Sequence, residues 1–473
     1  MSTKIKVKSK LKKNTIEQNT VEQNTVEQNT VEQNNTVDTT FNNIINNIIN
    51  TTVDTTVDTT VDTTVDNTVD TSVDSTLNSN QYKFIDLFCG IGGFHQALIK
   101  FNCKCVFASD IDENCRKIYE TNYEIKPEGD ITQVDIKSIP NFDILCGGFP
   151  CQPFSHAGFQ RGFDDDRGNL FFNICDIIKF HKPKYLLLEN VKNLASHDNG
   201  NTWEVIHKKI NDLGYHTYPV PVVLNVLHFN IPQNRERVII MCKRKDLGEL
   251  KPLPVISSKP KLELTRTIKD FIKEEDKNIN KKYIINEKLK NVEKVWNEFI
   301  KLLLINKINI PKFPIWTDWW DNELDLNDDF YIKYTSWIDK NREFYNKNKI
   351  ILKIWLETSR NNTFWSGAVR KFEWQAGDLL PDDSMTKVLW SSRGSGIRVK
   401  RLNYIPTLVA MSMIPVYGPE SRTLSPKELL RLQSFPDTFK YDEKKIYKQV
   451  GNAVNVKMIE QSFKFLVLNQ SLF

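Results

Sequence analysis

Short apolar runs alternate with helical segments through the middle of the chain. The apolar runs lie at residues 83–88, 105–108, 144–145, 185–188 and 238–241. Segments with a helical pattern separate them, at residues 94–101, 170–180 and 202–213. Apolar runs of this kind are typical of strands buried on both faces, and their alternation with helices indicates a mostly parallel sheet. The pattern therefore predicts an α/β fold in which helices cover both faces of the sheet.

The two flanks of this region have a different texture. Up to residue 80 the chain consists largely of polar repeats, with a period of five residues and then of four. Their apolar content is too low to offset the entropy of ordering, so we predict that residues 1–80 are disordered. After residue 260 the alternation stops, and residues 261–420 contain nearly all the tryptophans. We interpret residues 261–420 as a smaller domain inserted into a larger one, which consists of residues 81–260 and 421–473.

Composition narrows the class of protein. The chain has 473 residues and a formal net charge of +5. This charge is too small to indicate a nucleic-acid partner by itself. All eight cysteines lie between Cys89 and Cys242 without a Cys-x-x-Cys pair, which argues against a zinc site and a disulfide framework. No apolar run approaches the ~18 residues that span a bilayer, and residues 1–13 lack the apolar core of a secretory signal. We expect an intracellular monomer with no metal and no membrane partner.

Two polar side chains stand at the ends of neighbouring predicted strands. Cys151 lies in a Pro-Cys-Gln-Pro loop that follows the third apolar run, and Glu189 directly follows the fourth. Open α/β sheets bind ligands beyond the carboxyl ends of their strands, so this thiol and this carboxyl would face one crevice. An inert buried thiol and a structural ion pair are the alternative interpretations. Arg235 and Arg237 lie two residues apart on a further strand, so both can reach the same site.

A second set of residues indicates a site for a nucleotide-like ligand. The loop Gly90-Ile91-Gly92-Gly93 follows the first strand and opens a helix, so its backbone N–H groups can approach such a ligand. Asp110 ends the second strand, where a carboxylate can accept from both ribose hydroxyls, and Asp130 can hold an adenine amino group. His95 stands where the dinucleotide fingerprint has its third glycine, so the loop is not that motif. The alternative is that both aspartates are ordinary helix caps.

In the predicted inserted domain, cations surround a Gly-Ser-Gly loop at residues 394–396. These cations are Arg393, Arg398, Lys400 and Arg401. Arginine and lysine around such a loop suit contact with phosphate. The tryptophans and lysines of this region are also compatible with the core and the wet surface of a small domain.

Six short motifs occur along the chain, at residues 84–94, 150–152, 189–191, 233–237, 422–436 and 449–454. In this order they resemble the motifs of C5-cytosine DNA methyltransferases of the bacterial restriction-modification type. The resemblance is close over residues 82–247 and 420–465, and looser for the basic loop and the segment around Thr407, which resemble the end of the family's target-recognition region. Residues 1–80 have no counterpart in the simple members of the family.

The resemblance implies a reaction and a role for each catalytic residue. A cytosine is flipped out of duplex DNA, Cys151 adds to its C6 as a thiolate, and C5 takes a methyl group from S-adenosylmethionine. Glu189 is expected to hydrogen-bond N3, Arg237 to face O2, and Arg235 to support the nucleophile loop and a nearby phosphate. A free thiol is only slightly ionised at neutral pH, so cations near Cys151 would raise its thiolate fraction.

The resemblance also implies two sets of binding residues. The cofactor residues are Phe88, Gly90, Gly92, Gly93, Asp110, Ile111, Asp130, Ile131, Leu170, Asn452 and Val454. The DNA-contacting residues are Gln152, Ser155, Arg161, Arg393, Ser395, Arg398, Lys400, Arg401 and Thr407. Ser395 is the candidate to fill the space that the flipped base leaves. Asp110 stands where the family more often has Glu, and its shorter arm can still accept hydrogen bonds.

The sequence offers an argument against each of three alternative functions. A tRNA-methylating relative shares the motifs, but that branch has a much smaller insert than the roughly 160 residues of this chain. A non-catalytic DNA-binding relative would be expected to lose the nucleophile or the cofactor loop, and the sequence keeps both. A nicotinamide-dependent oxidoreductase would want glycine at position 95, which is His95.

Overall fold

The computed structural model describes residues 81–150, 170–261, 263–272, 281–323, 328–410 and 414–473. Residues 1–80, which we predict to be disordered, lie outside this part of the chain. So do four of the predicted site residues, Cys151, Gln152, Ser155 and Arg161.

The central sheet combines four parallel strands with an antiparallel edge. Strands β1 (Lys83–Leu87), β2 (Lys104–Ser109), β3 (Ile144–Gly148) and β4 (Tyr185–Val191) run parallel in the order β2-β1-β3-β4. Strand β8 (Glu236–Arg244) pairs antiparallel with β4, and both β5 (Tyr215–Thr217) and β6 (Val222–Asn225) pair antiparallel with β8. The predicted α/β class is confirmed. The antiparallel edge was not predicted, because an apolar run carries no information on strand direction.

Helices cover both faces of this sheet. Helices α1 (Gly93–Leu98) and α2 (Glu113–Tyr123) contribute to the core on one face, and α3 (Leu170–His181) and α4 (Asn201–Asp212) to the core on the other. Successive side chains of a strand alternate between these cores, so that Phe84 belongs to the first and Ile85 to the second. Both side chains are fully buried. Because both faces are covered, most positions of the strands are apolar, which is the pattern seen in the sequence, and the buried Asp86 of β1 is an exception.

A second sheet and three helices follow. Their elements are α5 (Glu287–Ile305), β9 (Ile315–Trp316), α6 (Asp329–Lys347), α7 (Lys349–Arg360), β10 (Lys371–Trp374), β11 (Leu389–Arg393), β12 (Gly396–Lys400), β14 (Val416–Tyr417) and β15 (Arg422–Thr423). The sheet has the order β15-β14-β11-β12-β10-β9. Residues between 285 and 416 form a hydrophobic core of their own, in which Trp296, Trp365 and Trp390 are at most 1% exposed. The tryptophans are therefore largely core residues, while the domain boundaries at residues 261 and 420 stay a prediction.

The chain then returns to the central sheet. It does so through α8 (Pro426–Leu432), α9 (Ile446–Asn452) and α10 (Val456–Val467). Helix α8 begins with a capping box in which Ser425 and Glu428 each accept from the other's backbone N–H. Helix α10 packs beside α1 in the first core. None of the helices in the described ranges is long and apolar enough to cross a membrane.

Candidate active site

The carboxyl ends of β1 to β4 meet at one edge of the central sheet. The Gly90 loop follows β1, Asp110 follows β2, and the last residue of β3, Gly148, pairs with Glu189 of β4. Parallel strands share a direction, so these ends face one crevice. Cys151 follows Gly148 by three residues and lies outside the described residues. The structure thus brings the predicted cofactor loop and Glu189 to the same edge.

Gly90 and Asp110 are joined directly. The N–H of Gly90 donates to Asp110 Oδ2 at 2.8 Å, and the N–H of Asp112 donates to Oδ1 at 2.8 Å. Burial raises the pKa of the Asp110 carboxyl, and these two N–H donors act in the opposite direction. Gly90 has φ of +54°, and a Cβ built on it would meet no atom of the described residues within 4 Å. Its backbone therefore borders open space that a ligand can enter.

The other two glycines of the loop are surrounded by protein. A Cβ on Gly92 would lie 2.2 Å from the ring of Tyr123, whose hydroxyl donates to the Gly92 carbonyl at 3.0 Å. A Cβ on Gly93 would lie 2.5 Å from Val454 Cγ2 and 2.8 Å from the Val454 carbonyl oxygen. Gly92 and Gly93 are thus required for internal packing. The contact between Gly93 and Val454 also brings the C-terminal motif to this loop.

The remaining predicted cofactor residues differ in exposure. Ile111 is 77% exposed, and Asn452, at the end of α9, is also exposed. Ile131 is buried, and Phe88 and Leu170 are half-buried. Asp130 Oδ1 accepts from the backbone N–H and from the hydroxyl of Thr132, each at 2.9 Å. Asp130 therefore caps a short helical turn, the alternative that the sequence left open, and its other oxygen is not involved in these bonds.

Glu189 is buried against an arginine. It is 8% exposed, and Arg237 Nε lies 2.8 Å from its Oε1. The pair arises because β4 and β8 are neighbours, with Asn190 opposite Val238. Oε1 nevertheless has no hydrogen bond of good geometry to a described residue. The carboxyl is therefore held by the charge of Arg237 and keeps acceptor positions for a further partner.

Asn190 is a further residue at this edge of the sheet that was not among the predicted site residues. Its side chain is 1% exposed and donates from Nδ2 to the carbonyl oxygen of Phe149 at 2.9 Å. Its Oδ1 accepts from the N–H of Val191 at 2.8 Å. Asn190 therefore ties β4 to the chain two residues before Cys151. The signal was available, since a polar residue directly after a buried strand needs a partner.

Arg235 is placed differently from its predicted phosphate contact. It is 1% exposed, and its guanidinium donates to the carbonyl oxygens of Leu408 at 2.9 Å, Gly451 at 3.1 Å and Ala453 at 2.8 Å. Its pKa is lowered to about 9, mainly by burial and also by the neighbouring Arg237, while Glu189 acts in the opposite direction. Arg235 thus connects the segment before β14 to the C-terminal motif, and its burial leaves no surface for phosphate.

The predicted DNA-contacting cations fall into two groups. Arg401 is used internally, because it donates to the carbonyl oxygens of Ala376 at 2.8 Å and Asp378 at 2.9 Å and pairs with Asp383. Arg393 and Lys400 are half-buried, and burial lowers the pKa of each. Arg393 and Lys400 are therefore available for contacts at the surface, whereas Arg401 stabilises the loop around Asp383.

Two further DNA-contact candidates lie in exposed or connecting positions. Ser395 is exposed at the tip of the β11–β12 hairpin, where Arg393 pairs with Gly396. Thr407 follows β13 (Ile405–Pro406), which pairs with β7 (Gln233–Asn234), and its hydroxyl donates to the Asn234 carbonyl at 2.7 Å. The described residues contain no group of three His, Cys, Asp or Glu side chains that could hold a metal ion.

Comparisons with known proteins agree with this geometry. The family of C-5 cytosine-specific DNA methylases matches residues 82–467. Type II methyltransferase M.HhaI of Haemophilus parahaemolyticus is 52% identical over 166 residues, which are 35% of this chain and 50% of that protein. M.HpaII of Haemophilus parainfluenzae is 32% identical over 394 residues, 81% of this chain and 88% of that protein. M.BanI of Aneurinibacillus aneurinilyticus is 31% identical over 446 residues, 82% and 96% of the two chains.

The chain spans about half the length of M.HhaI and most of the length of M.HpaII and M.BanI. The family match begins with β1, ends within the last turn of α10, and includes both sheets. From this coverage, the chain belongs to the family of C-5 cytosine-specific DNA methylases.

Proposed function

We propose that this chain is a DNA (cytosine-5)-methyltransferase that uses S-adenosylmethionine as its methyl donor. The observation that carries the proposal is the edge of the central sheet, where the Gly90–Asp110 pair, the Glu189–Arg237 pair and the end of β3 before Cys151 meet. A cofactor loop, an acid and the strand end that leads to the proposed nucleophile suit transfer of a group to a bound base.

The residues present fit S-adenosylmethionine. The open side of Gly90 leaves room for a ligand, and a carboxylate has about four acceptor positions, of which two backbone N–H groups use two at Asp110. Asp110 can therefore still accept from ribose hydroxyls. Ile111 offers an apolar surface to an adenine ring, since it is 77% exposed directly after Asp110. When bound, S-adenosylmethionine supplies an electrophilic methyl group on a sulfonium sulfur.

The proposed chemistry begins at Cys151. Its thiolate forms a bond to C6 of an extruded cytosine, and the electrons of the C5–C6 double bond move into the ring toward N3. Glu189 in its protonated form donates to N3 and so favours the electron-rich enamine, and it takes the proton back when the C4–N3 double bond is restored, while Arg237 holds the carboxyl in position. C5 then takes the methyl group, and the sulfonium sulfur leaves as a thioether. Loss of the C5 proton to a base restores the double bond and breaks the bond from C6 to Cys151.

Asn190 and Arg235 act in this proposal by positioning other groups. Asn190 fixes the carbonyl of Phe149 and thereby the entrance to the nucleophile loop. Arg235 holds the C-terminal motif at Gly451 and Ala453, next to the residue that contacts the cofactor loop, Val454.

The test is transfer of labelled methyl groups to duplex DNA. The purified full chain should label DNA, and Cys151→Ser should abolish labelling because a hydroxyl is far less nucleophilic than a thiolate. Cys103→Ser is the matched control, since Cys103 directly precedes β2, at the amino ends of the parallel strands and away from the site, and should keep activity. An oligonucleotide with 5-fluorocytosine should form a denaturant-resistant adduct with the parent protein and not with Cys151→Ser. Full activity of Cys151→Ser would remove this residue as nucleophile.

The tRNA-methylating alternative is tested in the same assay. Duplex DNA and tRNA are offered at equal concentration to one preparation. We expect label in DNA, because residues 285–416 form a separate core with a cationic sheet face that a duplex can contact. Label in tRNA alone would overturn the assignment of the substrate.

A further inference from the structure

The second sheet has one apolar face and one polar face. On β10, Phe372 and Trp374 point into the core and Glu373 points away from it. On β12, Ile397 and Val399 point into the core and Arg398 points away. This alternation leaves a polar face on neighbouring strands.

Glu373 and Arg398 form a pair across this face. They are direct neighbours in the register of β10 and β12, and both Nε and Nη2 of Arg398 lie 2.8 Å from Glu373 Oε2. The other oxygen, Oε1, accepts from the side chain of Gln375. The next strand, β11, places Ser391 opposite Arg398, and Ser391 Oγ accepts from Arg393 Nε at 3.1 Å. The register therefore fixes the orientation of the pair.

The pair is accessible, in contrast to a second Arg–carboxylate pair nearby in the sequence. The side chains of Arg398 and Glu373 are 32% and 26% exposed. In the pair of Arg401 and Asp383, the aspartate is 4% exposed and the arginine also binds two backbone carbonyls. The second pair is sealed into a loop. Arg398 and Glu373 keep free donor and acceptor positions toward solvent, because a guanidinium has five N–H donors and a carboxylate about four acceptor sites.

The surroundings of the pair favour nucleic acid over other partners. Arg393 and Lys400 lie near Arg398, and the like charge of Arg398 contributes to lowering the pKa of both. Arg393 also lines one cleft together with Thr407, whose hydroxyl binds the carbonyl of Asn234, three residues before Arg237. The polar face therefore adjoins the strand that leads to the candidate active site. The carboxylate of Glu373 would repel a phosphate, so contact with the phosphate backbone does not by itself account for this group of side chains.

We propose that Glu373 and Arg398 read one C·G base pair of the target sequence, other than the pair that contains the methylated cytosine. In the major groove such a pair presents the guanine O6 and N7 acceptors beside the cytosine N4 donor. Arg398 donates to the guanine, and Glu373 accepts from the cytosine amino group. The inference rests on the proposed function. It assigns a role in sequence specificity to Glu373, which the sequence alone would suggest is a solvated surface charge.

The experiment selects bound duplexes from a library with a randomised window, using the full chain. Enrichment is read by sequencing, separately from methylation of the same DNA. The variants are Glu373→Ala and Arg398→Lys, which keeps the charge and loses the planar fork. The matched control is Glu357→Gln, which removes a carboxylate from the exposed pair with Lys353 on α7. Thermal unfolding of each variant checks that its fold is kept.

The parent chain should enrich C·G at one position, and both variants should lose about tenfold or more of that preference at the same position only. Glu357→Gln should match the parent. Unchanged preference in both variants, or an equal loss at every position, would overturn the inference and leave a surface ion pair. Sequence-selective binding without methylation would instead refute the proposed reaction while leaving this reading of the base pair intact.

Discussion

Replacement of Gly90 and Gly93 by alanine should separate ligand binding from packing within one loop. At Gly90 a Cβ meets no atom of the described part of the chain within 4 Å, so its structural cost there is that of the left-handed backbone at φ +54°, about 1–2 kcal/mol. At Gly93 a Cβ would lie 2.5 Å and 2.8 Å from two atoms of Val454, and such overpacking costs about 1–3 kcal/mol. Both losses of unfolding free energy are thus similar, whereas only the Gly90 Cβ enters the open space.

The assay is equilibrium binding of S-adenosylmethionine, beside urea unfolding of each variant. We expect Gly90→Ala to weaken binding by about tenfold or more, because the added methyl group takes the volume of a ligand contact worth ~1.4 kcal/mol. Gly93→Ala should weaken binding less at equal loss of stability, since the clash acts on the C-terminal segment. Binding of Gly90→Ala with parent affinity would refute the placement of the cofactor at this side of the loop.

Three further predictions concern the acid, the carboxylate at the cofactor loop and the buried arginine. Glu189→Gln should keep cofactor binding and slow methyl transfer by ~100-fold in single-turnover experiments, and an unchanged rate would exclude it from the mechanism. Affinity for S-adenosylmethionine should fall as the pH falls through the Asp110 pKa, which burial raises above 3.8, because hydroxyl donors bind the ionised form. Asp110→Asn should show no such titration. Arg235→Lys should lower the unfolding free energy by ~2 kcal/mol and leave the salt dependence of DNA binding unchanged.

A separate prediction concerns the repeats at the start of the chain. Deletion of residues 1–79 should leave turnover on duplex DNA nearly unchanged, because the family match begins at residue 82. Initial rates of the full and shortened chains provide the comparison. A large loss would show that the repeats bind something that the reaction needs.

The fold was predictable to the extent that burial determines the sequence pattern. Strands β1 to β4 are covered on both faces, so their apolar runs are complete and easily located. The direction of β8 is not encoded in such a run, since it depends on the connection through β5 to β7 and on pairing with β4. Short strands such as β13 and β14 have two residues each, too few for any period to be recognised.

At the site, the sequence predicted which residues gather but not what each contacts. Glu189 and Asp110 could be located because each ends an apolar run. The roles of the three glycines could not be separated, because Tyr123 and Val454 lie 31 and 361 residues from their glycine partners along the chain. Arg401 could not be distinguished from Arg398 in the sequence, because both belong to the same basic stretch. Only the structure shows that Arg401 pairs with Asp383.

The contacts of Arg235 show how motifs that lie far apart in the sequence are joined in space. Its guanidinium binds the Leu408 carbonyl, in the segment between β13 and β14, and two carbonyls of the C-terminal motif. Gly451 packs against the same segment, because a Cβ there would lie 2.3 Å from the Val409 carbonyl. A displacement of residues 408 and 409 would therefore act on Gly451 and Ala453, which lie next to the residue that contacts the cofactor loop, Val454. The side chain that makes this connection, Arg235, is 1% exposed and joins the three parts of the chain from the inside.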